Sequence, residues 1–284
     1  MQNRPKIVAI LNVTEDSFSD GGRYLDPDAA LKHGRALTAA GADILEIGPA
    51  SSNPDARSVS AAEQIERLRP VLKDLGHSDC NQDGHDRDRG AKIPISIDAT
   101  EPEVLRFAME HRVAFLNDVR GFPDPSFQEE LAHSQAALIV MHSLAEGDRA
   151  TREDASPQEV LDSIERFFEK RLAELVSAGV KEERLVVDPG MGFFLGRNPD
   201  ASVEVLRRIP ALRERFGCPV FISVSRKSFL RAITGRATSE IGPATLAAEL
   251  YAARKGVDYL RTHDVAALSD ALKLTEALDD APAT

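Results

Sequence analysis

The residues of this sequence that could do chemistry stand at the ends of short apolar runs or just beyond them. They include carboxylates, amides, hydroxyls, imidazoles and cations, a wider mixture than an ordinary boundary between strands and loops requires. These residues are Asn12, Glu46, Asp98, Asn117, Asp118, His142, Asp188, Ser225, Arg226, Lys227, Arg261 and His263. If the runs are strands of a parallel barrel, their ends converge on one face and predict a shared site.

The last two runs predict an anion site. The segment SVSRKSFL (223–230) places Arg226 and Lys227 at the expected start of a helix, where the helix macrodipole disfavours cations. Cations, hydroxyls and free backbone N–H groups together bind anions. Arg261 and His263 follow the next run and would join this site if the sheet closes into a barrel. An exposed basic turn is the alternative interpretation.

Asp98, Asn117 and Asp188 suit a different ligand. Carboxylates accept paired hydrogen bonds from an edge of N–H groups, and a neighbouring amide can both donate and accept. A buried, flat, nitrogen-rich heterocycle would satisfy all three side chains. A metal cluster is a competing interpretation, although no His-x-His or similar ligand spacing supports it. A satisfied polar network inside the core is the other.

The apolar runs alternate with longer helical patterns, and several are continuous and β-branched, as in strands buried on both faces. The predicted strands are residues 6–10, 43–47, 94–98, 114–118, 137–141, 184–188, 220–224 and 258–262. Eight alternations in 284 residues predict an α/β protein with a single (β/α)8 TIM barrel, a fold of about 250 residues. A doubly wound open sheet is the rival, weakened because no dinucleotide glycine fingerprint follows the first run.

One helix shows its boundaries with particular clarity. Ser156 can cap its N-terminus, Pro157 occupies the first helical position, and Glu159 completes a capping box. Gly179 is expected to end it. The sequence therefore predicts a long helix between the fifth and sixth strands.

One barrel domain covering 1–284 accounts for the pattern, apart from the segment 76–92. That segment is polar and rich in Asp and Gly, so we expect a disordered insertion. His77, Cys80 and His85 could bind a metal there, but a solvated loop is the simpler interpretation.

Charge and cysteine content narrow the class of protein. The chain has 46 acidic and 35 basic residues and a net charge of −11, which disfavours nonspecific binding to nucleic acid or to an anionic membrane. Cys80 and Cys218 lie far apart and predict no disulfide framework. No apolar run reaches membrane-spanning length and the first is too short for a signal peptide, so we expect a cytoplasmic protein.

The segments around these residues resemble those of the dihydropteroate synthases. In chain order the matching segments are ILNVTEDSFSDGG, GADILEIG, SID, NDVRGF, VMH, DPGMGF, SRKS and RTHD. They follow the eight predicted strands one by one and cover nearly the whole chain. The resemblance implies a barrel that joins 6-hydroxymethyl-7,8-dihydropterin pyrophosphate to p-aminobenzoate and releases pyrophosphate and 7,8-dihydropteroate.

The resemblance also implies roles for residues at matching positions. The pterin would be bound by Asp98, Asn117, Met141, Asp188, Lys227 and Arg261. The pyrophosphate would be bound by Asn12, Ser52, Arg261 and His263, with Asn12 also binding Mg²⁺. The p-aminobenzoate would be bound by Phe18, Pro54, Phe193, Phe194, Ser225 and Ser228. Catalysis would depend on Asp98, Asp188, Lys227, Arg261 and His263.

The residues fit this chemistry. Pyrophosphate leaves from a methylene group on an electron-rich pterin, so positive charge develops on the pterin. Carboxylates at its edge stabilise that charge, while Mg²⁺, Arg261 and His263 stabilise the departing anion. The aromatic amine is already a competent nucleophile, so positioning is expected to supply much of the rate.

Several positions depart from the usual pattern of the family. The second loop usually resembles Gly-Gly-Glu-Ser-Thr-Arg-Pro, whereas this chain has GPASSNP at 48–54, and Glu46 stands where aspartate is usual. The loop after the sixth strand is about two residues longer than usual and contains Phe193 and Phe194. These departures resemble the sulfonamide-insensitive branch of the family. We expect one of the two phenylalanines to narrow the aminobenzoate side against bulkier sulfonamides.

Two other functions stay open from the sequence. A methyltetrahydrofolate-binding methyltransferase barrel also binds a pterin with Asp and Asn side chains, but its reaction would hardly require the anion site. A non-catalytic pterin-binding module is the second alternative. The family resemblance also implies a possible homodimer. The first loop, 11–22, is predicted to act as a lid that becomes ordered when substrate or pyrophosphate binds.

Overall fold

The computed structural model describes residues 4–14, 26–51, 57–75, 93–145 and 154–279. Within these ranges the chain alternates parallel strands with helices. The strands are β1 Lys6–Asn12, β2 Ile44–Gly48, β3 Ile95–Asp98, β4 Phe115–Asp118, β5 Ala137–Met141, β6 Leu185–Asp188, β7 Phe221–Ile222 and β8 Tyr259–Thr262. The α-helices are α1 Pro27–Ala39, α2 Ala61–Leu75, α3 Pro102–Glu110, α4 Pro125–Ala132, α5 Pro157–Ser177, α6 Pro199–Phe216, α7 Ser228–Thr234, α8 Gly242–Arg254 and α9 Val265–Asp279.

The eight strands form a barrel. Sequential strands pair in parallel from β1 to β6, and β8 pairs with both β1 and β7. An isolated parallel bridge between Val187 and Val220 joins the two ends of the sheet. An open doubly wound sheet has no such closure, so the prediction of a (β/α)8 TIM barrel is confirmed. Each predicted strand overlaps an observed one, with boundaries that agree to within two residues.

The barrel interior is filled at its lower level by apolar side chains. This inner cluster consists of Val8, Ile44, Ile139, Val186 and Phe221, with Phe115 and Tyr259 packed against it. Side chains two residues further along a strand point to the same face. The next level therefore contains Glu46, Asn117, Asp188 and Arg261, which are polar. A layer of apolar side chains thus lies directly beneath a layer of polar side chains at the carboxyl ends of the strands.

Helix α5 begins as its sequence predicts. The Ser156 side chain accepts from the backbone N–H of Glu159, and the Glu159 carboxylate accepts from the backbone N–H of Ser156. Pro157 occupies the first helical position. These local signals fix where the helix starts, and its apolar face, including Val160, packs into the core outside the barrel.

Some sequence predictions lie outside the described residues. They include the insertion at 76–92, with His77, Cys80 and His85, and most of the predicted lid at 11–22.

Cys218 is buried and free. Among the helices of the described ranges, none combines the length and apolarity needed to span a membrane.

Candidate active site

Arg261 is the centre of the polar level of the barrel. Its Nε donates to Glu46 Oε1, and its terminal Nη2 donates to Asp98 Oδ2 at 2.9 Å. Burial and these carboxylates act in opposite directions on the guanidinium, and the net effect raises the pKa of Arg261. The structure therefore brings Arg261 and Asp98, two predicted pterin ligands from β8 and β3, into direct contact.

Glu46, for which the sequence predicts no ligand, belongs to the same network. It is fully buried in β2 and accepts hydrogen bonds from Ser96 Oγ at 2.9 Å and Asn117 Nδ2 at 3.1 Å, in addition to Arg261. A charged residue inside the apolar strand ILEIG was the available signal. A carboxylate placed there requires buried donors, which three neighbouring strands supply.

Asp98 and Asp188 have unusual proton affinities. Burial raises the pKa of Asp98 to about 6, against the opposing effect of Arg261. Burial also raises the pKa of Asp188 to about 7, although the Gly190 backbone N–H, 2.8 Å from Oδ1, and the Lys227 ammonium lower it. Carboxyls with such pKa values can gain or lose a proton near neutrality. Perturbed carboxyls at a barrel's carboxyl face are typical of functional sites.

Lys227 lies close enough to these acids to interact with them electrostatically. Burial is the main reason that its pKa falls to about 8, while Asp188 and Asp98 oppose this change. Its Nζ lies 4.8 Å from the centroid of the Phe194 ring. Lys227 is therefore not part of an exposed basic turn, and that interpretation is wrong for this residue. The neighbouring Arg226 is exposed.

His263 is paired with Ser225. Ser225 Oγ lies 2.9 Å from His263 Nδ1 and also accepts the backbone N–H of His263 at 3.2 Å. Burial, helped by Arg226, Arg261 and Lys227, holds the pKa of His263 well below its usual range. The imidazole is therefore neutral at pH 7. When Ser225 donates to Nδ1, the proton of the ring resides on Nε2, where it can be donated to a ligand.

The two phenylalanines of the longer loop lie in different surroundings. Phe193 lines a surface pocket together with Ser228, Arg197 and Arg231. Phe194 is buried in a small cluster with Val119 and Met141. It therefore lies on the side predicted for the pterin, whereas only Phe193 of the pair lines the outer pocket.

The described residues include only some of the side chains predicted to bind p-aminobenzoate and pyrophosphate. Ser228 lines the outer pocket, whereas the Ser225 hydroxyl is engaged with His263. Phe18, Ser52 and Pro54 lie outside the described residues. Their assignments stay predictions.

Two polar residues at strand ends have structural tasks instead. The Asp118 carboxylate accepts from the backbone N–H groups of Arg120 and Phe122, both at 2.9 Å, and shapes the turn after β4. His142 lies 3.2 Å from the Pro189 carbonyl and 3.0 Å from Ser163 Oγ, and burial lowers its pKa to about 4. Neither side chain joins the network around Arg261.

The loop after β6 depends on a glycine. Gly190 has φ +76°, and a Cβ there would lie 2.4 Å from the carbonyl oxygen of His142. Only glycine permits this close approach without displacement. The loop therefore stays close to β5, and the Gly190 N–H points to Asp188.

Asn12 ends β1 at the same face, and its Oδ1 lies beside Gly48 at the end of β2. In the described part of the chain, no group of three or more His, Cys, Asp or Glu side chains could hold a metal ion by itself. A single amide oxygen nevertheless fits Mg²⁺, which often takes one or two protein oxygens and completes its coordination with substrate phosphates and water.

Comparisons with known proteins agree with this geometry. Residues 8–263 match the pterin binding enzyme family. The chain is 50% identical over 273 residues to dihydropteroate synthase type-3 of Escherichia coli, covering 96% of this chain and 99% of that enzyme.

Two solved structures are similar over almost their full length. Dihydropteroate synthase of Xanthomonas albilineans with 4-aminobenzoic acid has a TM-score of 0.84 and 34% identity, covering 99% of this chain and 95% of that chain. The same species' enzyme in complex with 7,8-dihydropteroate has a TM-score of 0.80 and 33% identity, covering 99% and 96% of the two chains.

Proposed function

The chain belongs to the dihydropteroate synthases of the pterin-binding enzyme family, and from this premise we propose how its own residues divide the work of the reaction. It is a transferase of folate biosynthesis. The reaction forms a bond between the amine nitrogen of p-aminobenzoate and the methylene carbon of the pterin. The bond between that carbon and the pyrophosphate oxygen breaks, its electron pair leaves with pyrophosphate, and the amine loses a proton.

The acceptor edge formed by Asp98, Asn117 and Asp188 is the observation that carries this proposal. Asn117 Oδ1 is buried and has no hydrogen-bond partner among the described residues. Asp188 and Asp98 present carboxyl oxygens on the same side of the barrel. A pterin supplies the N–H donors that such an edge lacks, because its pyrimidine ring carries an amino group and a ring N–H.

Lys227 and Phe194 close the other side of the pterin site. The ammonium can donate to a ring acceptor of the pterin while the acids bind its N–H groups. Met141 packs with Phe194 and provides apolar surface for a flat ring. This combination of an apolar wall and few polar groups is typical of small-molecule sites.

Arg261 and His263 serve the leaving group. Arg261 carries a permanent positive charge, and His263 offers a neutral N–H donor from Nε2. Both follow or end β8 at the face where the pyrophosphate would project from the pterin. Donors that are already oriented towards developing negative charge lower the barrier without reorganising during the reaction.

Asn12 is the residue that would hold Mg²⁺, together with pyrophosphate oxygens. When bound, the metal ion would withdraw negative charge from the leaving group. The chain itself contributes one oriented amide oxygen at the end of β1. Replacing Asn12 with alanine is expected to raise the Mg²⁺ concentration needed for half-maximal activity.

Low sulfonamide sensitivity is part of the proposal. Phe193 lines the outer pocket with Ser228, and a bulky aromatic side chain at that position reduces the width available to an inhibitor larger than p-aminobenzoate. A misfit of methylene size costs about 1–3 kcal/mol, which corresponds to tenfold or greater discrimination. Inhibition by sulfamethoxazole at concentrations near the KM for p-aminobenzoate would contradict this part of the proposal.

The decisive experiment is a steady-state assay with both substrates. The purified protein is expected to form dihydropteroate and release one pyrophosphate for each product molecule. Asp188→Asn is expected to abolish turnover while leaving the fold intact. Pterin binding without pyrophosphate release from the unaltered protein would instead favour the non-catalytic module. The homodimer stays a prediction, which the molar mass in solution tests.

A further inference from the structure

Glu46 occupies an unusual position for a charged residue. It is fully buried in β2, and its neighbours across the sheet in the register are Ile10 of β1 and Ser96 of β3. Three side chains from β3, β4 and β8 donate to its two oxygens. A buried carboxylate with this many donors fixes the orientation of whatever donates to it.

The first consequence concerns Asn117. An ionised carboxylate only accepts hydrogen bonds, so Glu46 Oε2 requires the amide nitrogen of Asn117, at 3.1 Å, to face it. The amide oxygen is then at the opposite end, buried and without a partner among the described residues. Glu46 thereby decides that Asn117 offers an acceptor, and not a donor, to a ligand.

The second consequence concerns Arg261. Glu46 Oε1 accepts from Nε, close to the stem of the side chain, while Asp98 accepts from the terminal Nη2. A ligand that takes the Asp98 carboxylate releases the terminal nitrogen of Arg261. The contact at Nε still retains the guanidinium at the centre of the barrel, from where the freed nitrogen can donate to the leaving group.

We propose that Glu46 is a positioning residue for the pterin substrate, which sets the hydrogen-bond polarity of Asn117 and keeps Arg261 beside the ring when Asp98 binds the ligand. This inference rests on the proposed function. Glu46 itself touches no substrate atom and acts through these two residues. Its partners belong to strands that are far apart in the sequence, so only the closed barrel creates the arrangement.

Glu46→Gln tests this role with almost no change in volume. The new amide can donate to Asn117 Oδ1, which allows Asn117 to rotate and present its nitrogen to the ligand. The dissociation constant for 6-hydroxymethylpterin, a stable probe of the ring site, is expected to rise about tenfold or more. The KM for p-aminobenzoate is expected to change little.

The pH dependence of pterin binding gives a readout that loss of packing alone would not move. The Glu46 charge raises the pKa values of Asp98, Asp188 and Lys227, and the Arg261 charge lowers all three. Removing the Glu46 charge therefore lowers the pKa values of the two acids. The acidic limb of pterin binding is expected to shift to lower pH in Glu46→Gln and to keep its position in Glu46→Asp, which retains the charge.

Glu249→Gln is the matched control. Glu249 is also a buried carboxyl, on α8, where burial raises its pKa to about 8 and Thr262 is its hydrogen-bond partner. Neutralising it is expected to leave pterin affinity and the acidic limb unchanged. If Glu46→Gln does not fold, the pterin affinity of Glu46→Asp tests the proposal, because the shorter side chain moves the carboxylate away from its donors. A pterin affinity equal to that of the unaltered protein would contradict the proposal.

The failures of the two proposals are distinguishable. Absence of dihydropteroate formation by the unaltered protein would overturn the proposed function. An active unaltered protein, with Glu46→Gln matching it in pterin affinity and in the acidic limb, would overturn only the role of Glu46.

Discussion

The Lys227 ammonium lies 4.8 Å from the centroid of the Phe194 ring, within the distance at which a cation is attracted by an aromatic face. The same ring packs against Met141 and Val119. Phe194 thus links the cation of the pterin site to the apolar wall beside it. Phe193, its neighbour in the sequence, lines the outer pocket instead.

Phe194→Leu is therefore expected to act on the pterin. Loss of the ring removes a cation–π contact worth about 0.5–2 kcal/mol, so the KM for the pterin substrate is expected to rise by about twofold to thirtyfold. Steady-state kinetics with each substrate varied in turn measures the effect. A larger change in the KM for p-aminobenzoate than in that for the pterin would contradict this assignment.

Phe193→Leu is the matched variant for the outer pocket. A smaller side chain there widens the space beside Ser228, so inhibition by sulfamethoxazole is expected to strengthen about tenfold, with the KM for the pterin unchanged. Inhibition curves at fixed p-aminobenzoate concentration provide the measurement. Equal inhibition of this variant and the unaltered enzyme would remove Phe193 from the explanation.

His263 is expected to work as a neutral donor held by Ser225. His263→Ala removes a donor to the leaving group and is expected to lower kcat about a hundredfold. Ser225→Ala only releases the ring from its orientation, so a loss of about tenfold is expected. Because the pKa of His263 lies well below its usual range, the acidic limb of the pH profile should stay in place in Ser225→Ala. If the acidic limb of the pH profile disappears in His263→Ala, the prediction that His263 is neutral is wrong.

Asp188 is expected to reduce stability while serving the reaction. Its folded-state pKa is raised from 3.8 to about 7 chiefly by burial, so the folded protein favours the protonated carboxyl. Ionisation therefore weakens folding as the pH rises through this interval, and the loss is complete above pH 7. Asp188→Asn should raise the free energy of unfolding by about 1–2 kcal/mol above neutrality and change it little near pH 4.

Asp118→Asn provides the contrast in the same denaturation experiments. Burial also raises the pKa of Asp118, to about 6, but both of its oxygens accept backbone N–H groups. An asparagine has only one accepting oxygen, so one N–H is left facing a donor. A loss of stability of about 1–3 kcal/mol is expected. Stabilisation by this change, as for Asp188→Asn, would contradict the turn-forming role.

Gly190→Ala is expected to disrupt the loop after β6. The added Cβ would meet the His142 carbonyl oxygen at 2.4 Å, at a backbone φ of +76°. Strain and overpacking together should cost on the order of 3 kcal/mol. Gly217→Ala is the control, since φ is +65° there but nothing lies within 4 Å, and about 1 kcal/mol is expected. Urea denaturation of both variants measures the difference, and equal losses would show that the close approach to His142 is unimportant.

The sequence by itself determined the barrel and the face that carries the site. Continuous apolar runs can be buried on both sides only in a covered parallel sheet, and helix caps such as Ser156 with Glu159 act through neighbours in the chain. Asp98, Asn117, Asp188, Lys227 and Arg261 could be named because strand ends in such a barrel share one face, and because their segments resemble one family.

Only the tertiary structure decided which of the polar residues act together. The alternation of side chains along a strand gives two faces, but the register between strands places Glu46 beside Ser96 and sends Asp118 into a turn. The network of Glu46 with Arg261 joins residues 215 positions apart. No local pattern encodes that contact, because closure of the barrel brings β8 next to β1 and completes the ring of donors around a single carboxylate.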